Sequence, residues 1–124
     1  LISKTSNNKK PNVIFGCGGD RDKGKRKKMG IIANHYANRI YITDDNPRFE
    51  DSSKIRKSIL EHCKNNALEI PERKKAIINA INDLKKNEIL IIAGKGHENH
   101  QIIKGISYPL DDYKIASKAL RKKL

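Results

Sequence analysis

The 124 residues fit one domain with one modest core, and the longest apolar run, Ile89 to Ala93, is far short of the roughly 20 residues that a membrane-spanning helix needs. Lys and Arg number 27 against 14 Asp and Glu, a formal charge of +13 that is the electrostatic footprint of a protein meeting a polyanion. Lysine supplies 20 of those cations, scattered over predicted helix surfaces, and with four Tyr, two Phe and no Trp there are few platforms for stacking bases; a basic α/β nucleic-acid-binding module is therefore the alternative reading rather than the leading one.

Residues 1–11 read as a linker or interdomain segment, polar, without the apolar core of a signal peptide, and ending at Pro11. Asn12-Val13-Ile14-Phe15 is a short β-branched run that stops at Gly16, a buried strand. A helix is expected from about Lys23 to Asn38, with Met29, Ile32, Ala33, Tyr36 and Ala37 on its apolar face. Arg39 to Thr43 is a second strand, closed by the turn Asp44-Asp45-Asn46-Pro47-Arg48. Ser52 or Ser53 can cap a helix carrying Ile55, Ile59 and Leu60. Pro71 suits the first position of a helix from Glu72 to Lys86, with Ala76, Ile77, Ala80, Ile81 and Leu84 facing the core. Glu88 to Ala93 is the clearest strand, a continuous apolar run of the kind buried on both faces of a parallel sheet. Gln101-Ile102-Ile103 is a further short strand before Gly105 and a turn at Pro109. Asp111 or Asp112 then caps a last helix whose Arg121, Lys122 and Lys123 suit its carboxyl end.

Strands alternate with helices throughout, so residues 12–124 should form one three-layer α/β domain with a mostly parallel sheet. Right-handed crossovers would bring three polar loops to the carboxyl ends of the strands, where open α/β sheets bind ligands. The first loop matches the phosphate-binding pattern G-x-x-x-x-G-K from Gly19 to Lys25, but Arg26 stands where that pattern needs a magnesium-holding Ser or Thr. Asp20 and Asp22 would also repel a triphosphate. A smaller anion, such as a carboxylate held by Arg21 and free loop amides, fits better than a nucleotide, and a glycine turn with solvated charges is the plain alternative. In the second loop, Asp, Asn and Pro are ordinary turn residues, but Arg48 beside rigid Pro47 offers a fork able to hold a carboxylate in two bonds. In the third, Gly94 and Gly96 permit close approach of a ligand and Glu98 can pair with an ammonium group. His97 and His100 flank Glu98 at a spacing one residue too short for the zinc-helix pattern, so no metal site is expected. Cys17 and Cys63 follow no metal spacing and read as free thiols in a reducing compartment.

The segments Gly16 to Arg26, Thr43 to Arg48, and Ala93 to Glu98 with Gln101, in that order, resemble the third domain of the Mur ligase family, in the branch that adds diaminopimelate; the resemblance runs from about residue 12 to residue 118. It implies a Rossmann-like, C-terminal domain that brings in the amino acid, beside a domain for the uridine nucleotide and a central ATPase. It further implies a cytoplasmic enzyme of peptidoglycan synthesis that uses ATP and Mg2+ to activate a D-glutamate carboxylate as an acyl phosphate, which the amine of the incoming amino acid attacks. By the resemblance, Arg21, Asp45, Asn46, Pro47, Arg48, Gly94 and Glu98 bind meso-diaminopimelate, no residue of this domain is catalytic, and UDP-N-acetylmuramoyl-dipeptide and ATP are bound mainly by the other domains. This chain alone should then form no amide bond.

Overall fold

Successive residues of a strand point to opposite faces of the sheet, and along the two central strands, β1 (Asn12–Phe15) and β2 (Ile40–Ile42), this alternation divides the core in two. Phe15, Ile40 and Ile42 turn to one side, where they pack with Ala33 of helix α1 (Gly24–Tyr36), with Ala37 just after it, and with Ile55 and Ile59 of α2 (Ser52–Leu60). Ile14 and Tyr41 turn to the other, against Ala76, Ile77, Ala80, Ile81 and Ala119 from α3 (Arg73–Asp83) and α4 (Asp112–Lys123). Each such isoleucine, taken fully from water, stabilises the fold by roughly 1.5–3 kcal/mol before entropy is counted. The result is three layers, as the alternation of strands and helices predicts. The computed structural model describes residues 9–64, 66–95 and 98–124, so most of the expected linker (1–8) and Gly96 and His97 of the third loop lie outside the described residues.

The main sheet has the order β3-β2-β1-β4, with β3 (Ala67–Glu69) and β4 (Leu90–Ile92) at its edges and every pair parallel. Its register sets Ile14 beside both Tyr41 and Ile92. An antiparallel hairpin, β5 (His100–Ile103) and β6 (Ile106–Pro109), stands apart and touches the second loop through a bridge between Arg48 and Ile103. Among the described residues no helix is long and apolar enough to cross a membrane.

Several expectations are corrected. The clearest apolar run, β4, is not a strand buried on both faces: among the described residues it pairs on one side only and all three residues are only partly buried, whereas β1 and β2 are the buried centre. Strand β3 has no signal in Ala67-Leu68-Glu69, which carries no β-branched residue, and Pro109 closes β6 rather than forming a turn. On α1 the buried stripe is Arg26, Gly30 and Ala33, while Ile32 and Tyr36 project outward. Asp51, one residue before Ser52, caps α2 by accepting from the Ser53 N–H at 2.9 Å and the Ser53 hydroxyl at 2.6 Å. Pro71 precedes α3 instead of opening it, and its carbonyl accepts from the Thr43 hydroxyl at 3.0 Å. Lys123 serves a neighbour's end as well as its own: its ammonium donates to the carbonyls of Ile81, Asn82 and Leu84 at the end of α3. Asp111, as expected, caps α4.

Candidate functional site

The loops after β1, β2 and β4 converge at one end of the sheet. The first is pressed against the second: the Gly19 N–H donates to the Asn46 carbonyl at 2.7 Å, and a Cβ on Gly19 would overlap the Pro47 carbonyl, which is why glycine stands there. Other amides of this loop are also spent within the chain, that of Asp20 on Glu50 at 2.9 Å and that of Gly24 on Asp22 at 2.9 Å. Arg26, at the position where a phosphate loop needs its hydroxyl, is buried and joined to Glu50 by two bonds of 2.7 and 2.8 Å. The Arg26 guanidinium and the Asp20 N–H pull the Glu50 carboxyl down to about 2. The loop therefore fits a triphosphate poorly, and the free-amide reading gives way to a simpler one. What it offers a ligand is the side chain of Arg21, exposed and without a hydrogen bond or ion pair among the described residues.

The second loop is held from behind. Asp44 pairs with Arg56, which reaches Glu69 as well. Asp45 lies 3.1 Å from the ammonium of Lys95, whose side chain is fully buried. The Asn46 side-chain oxygen accepts from Lys95 at 2.8 Å and from the Ile102 N–H at 2.9 Å. Arg48 sits at φ 54°, a left-handed conformation that non-glycine residues seldom adopt, and its N–H and C=O are both bonded to the hairpin, through the Ile102 carbonyl and the Lys104 N–H. One nitrogen of its guanidinium, Nη1, donates to the Gly19 carbonyl at 3.0 Å and more weakly to that of Asn46 at 3.4 Å; Nε and Nη2 make no bond among the described residues. In the third loop Gly94 has φ +111°, and a Cβ there would come within 3.3 Å of an Asp45 carboxylate oxygen.

Between these loops lies a cavity of about 400 Å3, within the range of roughly 300–1,000 Å3 usual for small-molecule sites. Arg21, Asp45, Asn46, Arg48, Gly94 and Glu98 all line it; Pro47 does not, being buried against Gly19. Cys17 and Met29 give it an apolar patch, their sulfurs 3.6 Å apart, and burial pushes the Cys17 thiol up, away from reactivity. Asp45 is neutralised by Lys95, whereas Glu98 is half-exposed and at 4.0 Å from that ammonium, so Glu98, together with Asp22 of the first loop, is left for a cationic ligand. Arg21, Arg48 and the exposed Lys25 are the cations left for an anionic one, and only the arginines offer a planar fork. Among the described residues no group of His, Cys, Asp or Glu could hold a metal ion. A larger groove of about 590 Å3 runs between α3 and α4, lined by Lys74, Lys114, Lys118 and Lys122 over Ile78 and Ile115, but no carboxylate faces it and it lies away from the strand ends.

Sequence reasoning missed the residues behind the cavity. Lys95, Arg26 and Glu50 escaped it, as did Arg73, which grips Asp112 with bonds of 2.8 and 2.7 Å and also donates to the Ala93 carbonyl at 3.0 Å. Only Lys95 carried a signal, a charged residue between two glycines just after a strand.

Comparison with known proteins gives the family and the fold. A family model described as "Mur ligase, glutamate ligase domain" matches residues 2–96. The chain is 52% identical over 101 residues to the UDP-N-acetylmuramoyl-L-alanyl-D-glutamate--2,6-diaminopimelate ligase of Anaplasma marginale, a match covering 81% of this chain and 21% of that protein. It is 50% identical over 124 residues to the ligase of the same name from Buchnera aphidicola subsp. Baizongia pistaciae, covering 98% of this chain and 24% of that one. A solved structure of a ligase with this name superposes with a TM-score of 0.86 at 37% identity, covering 92% of this chain and 24% of the other. The chain thus spans about a quarter or less of the length of the relatives it matches.

Proposed function

The chain belongs to the Mur ligase family, and from that premise we propose that residues 12–124 are the C-terminal, amino-acid-binding domain of the ligase that adds meso-diaminopimelate to UDP-N-acetylmuramoyl-L-alanyl-D-glutamate in peptidoglycan synthesis. The observation that carries this reading is the set of charges that line one cavity with capacity to spare: the guanidiniums of Arg21 and Arg48 and the carboxylate of Glu98, held only by a long 4.0 Å pair with Lys95, with Lys25 and Asp22 at the same wall. Meso-diaminopimelate is lysine with one more carboxylate at its far end. Arg48, gripped on one edge and free on the other, suits that carboxylate; Arg21 suits the carboxylate common to amino acids, and Glu98 an ammonium group. Lysine, lacking the far carboxylate, would leave a half-buried arginine unanswered, and leaving a polar site unpaired is the strongest way to reject a near-isostere.

The role of this domain is orientation. Holding the amino acid in one pose turns the attack of its amine on the activated carboxylate into an effectively unimolecular step. ATP and Mg2+ belong to other parts of the enzyme in this reading, since the glycine-rich loop spends its amides on Asn46, Glu50 and Asp22. The uridine-linked dipeptide is likewise met elsewhere, and the enzyme acts in the cytoplasm, where nucleotide-linked precursors are made and Cys17 and Cys63 remain thiols.

Titration of the purified chain with meso-diaminopimelate, followed by amide NMR, tests the reading. Signals of Gly18, Arg48 and Gly94 should shift, L-lysine should move them less at equal concentration, and ATP with Mg2+ should not be hydrolysed. Steady ATP turnover by this chain, or shifts confined to the groove between α3 and α4, would overturn it.

A further inference from the structure

We propose that Lys95 is a positioning residue for carboxylate recognition: from behind the cavity its ammonium fixes the Asn46 side-chain amide with the NH2 group, not the oxygen, toward the substrate, and cancels the charge of Asp45. The inference rests on the reading of the cavity as the amino-acid site.

Lys95 is not itself a ligand for the substrate. Its ammonium donates to the Asn46 side-chain oxygen at 2.8 Å and the His100 carbonyl at 2.9 Å, and an Asp45 carboxylate oxygen lies 3.1 Å away as its ion-pair partner. Its side chain is fully buried. What it controls is the amide it touches. The Asn46 oxygen has two lone pairs, and Lys95 and the Ile102 N–H, at 2.9 Å, fill both. Turning the amide over would set its NH2 against an ammonium and an N–H, two donors facing two donors, in a residue only 6% exposed. The amide orientation, ordinarily a choice made from the surrounding hydrogen bonds, is thus dictated here by a cation that the substrate never meets. The NH2 group is left without a partner among the described residues, on a side chain that lines the same cavity as Arg48.

The second effect is electrostatic. An Asp45 carboxylate facing the cavity would repel a substrate carboxylate, and pairing it with Lys95 at 3.1 Å removes that penalty, while Glu98 is held only loosely, at 4.0 Å. A single buried nitrogen therefore joins the third loop, the second loop and the hairpin, and sets the polarity of the wall that reads an anion.

Kinetics on the full-length ligase with meso-diaminopimelate and with L-lysine as the competing amino acid decide the matter. Lys95→Met should raise the KM for meso-diaminopimelate by about tenfold or more, the scale of a charge-assisted bond, and leave the KM for ATP unchanged. Above all it should shrink the preference for meso-diaminopimelate over lysine, because a freed amide can present its oxygen; a merely loosened fold would weaken both amino acids alike. Asn46→Asp keeps an acceptor for Lys95 and for the Ile102 N–H, so it preserves the framework even where Lys95→Met does not fold, yet it removes the NH2 group and should show the same loss of preference. A folded variant of either kind that retains the wild-type preference overturns the proposal. Wild-type enzyme with no preference for meso-diaminopimelate would overturn the reading of the cavity itself, a distinct result.

Discussion

The cations in front of the three loops and those behind them are of the same kinds and meet opposite fates. Behind, Arg26, Arg56, Arg73 and Lys95 are buried, and each has a carboxylate on another element: Glu50, Asp44 with Glu69, Asp112, and Asp45. In front, Arg21 and Arg48 border the cavity with no carboxylate in contact among the described residues, Arg48 spending only one nitrogen on backbone carbonyls. Removing a charge from water without a partner costs several kcal/mol, so the rear positions had to be paired for the chain to fold. The front positions are solvated when empty and keep their hydrogen-bonding capacity for a ligand. The same chemistry is scaffold in one layer and reader in the next.

The largest effect that this contrast predicts is at Arg73. Arg73→Met strips a bidentate partner from Asp112, a residue 6% exposed, and withdraws donors from the Ala93 and Asp44 carbonyls, where the third and second loops begin. Breaking a buried pair from one side costs about 3–5 kcal/mol, whereas replacing both partners by apolar residues can be nearly neutral. The urea midpoint of the purified chain should therefore fall steeply for Arg73→Met and recover much of the loss in Arg73→Met combined with Asp112→Leu. A midpoint unmoved by the single substitution would erase the distinction between the two layers.

At the front the effect should appear in recognition rather than stability. In the full-length ligase, Arg48→Ala should raise the KM for meso-diaminopimelate by roughly ten- to a hundredfold, the equivalent of about 1.5–3 kcal/mol for a charge-assisted pair, and leave that for ATP nearly unchanged. If part of the interaction forms only in the transition state, turnover falls as well. Arg21→Ala should act in the same direction but with less selectivity against lysine, which shares the carboxylate it would hold. Unchanged discrimination between the two amino acids in Arg48→Ala would remove Arg48 from the reading surface.

How much of this was open to reading from the sequence follows the same division. Cavity-facing residues announce themselves because loops after strands must be short, polar and glycine-bearing to admit a ligand, and Gly18, Arg48 and Gly94 carry that mark. The layers were legible too, since Ile14 and Phe15, or Tyr41 and Ile42, fill opposite faces by the alternation of a strand. The rear framework was not, because its partners lie far apart in the chain: Arg73 and Asp112 are separated by 39 positions, Lys95 and Asn46 by 49. No local pattern joins such pairs. Nor does an apolar run reveal whether its strand is central or at an edge; β4 carries the strongest run and lies at the edge, while strand β3 enters the sheet through backbone pairing with β2 alone and leaves Leu68 half-exposed.

Glu50 tests the boundary between the two layers, because it lies one contact behind the cavity and is partly open to water. Its carboxyl is pulled from the ordinary 4.5 to about 2, first by the hydrogen bond from Arg26 and then by the Asp20 N–H. A group whose folded value is depressed contributes stability that is fully present above its unfolded value and is lost as the pH falls through its folded one. The window here runs from about 4.5 down to about 2. Glu50→Gln keeps the shape and an acceptor for Asp20 but removes the titration, so the difference in unfolding free energy between wild type and variant should be flat above about pH 5 and narrow toward pH 2. With 20% of its side chain exposed, solvent screening holds the pH-dependent part to about 1 kcal/mol, near the upper end for exposed pairs and well below the effect at Arg73. Denaturant titrations of the two proteins at several pH values measure it. A difference that stays constant down to pH 2 would mean that Arg26 and Glu50 hold the first loop no better than a solvated pair, and the front layer would then begin one residue deeper than the cavity wall suggests.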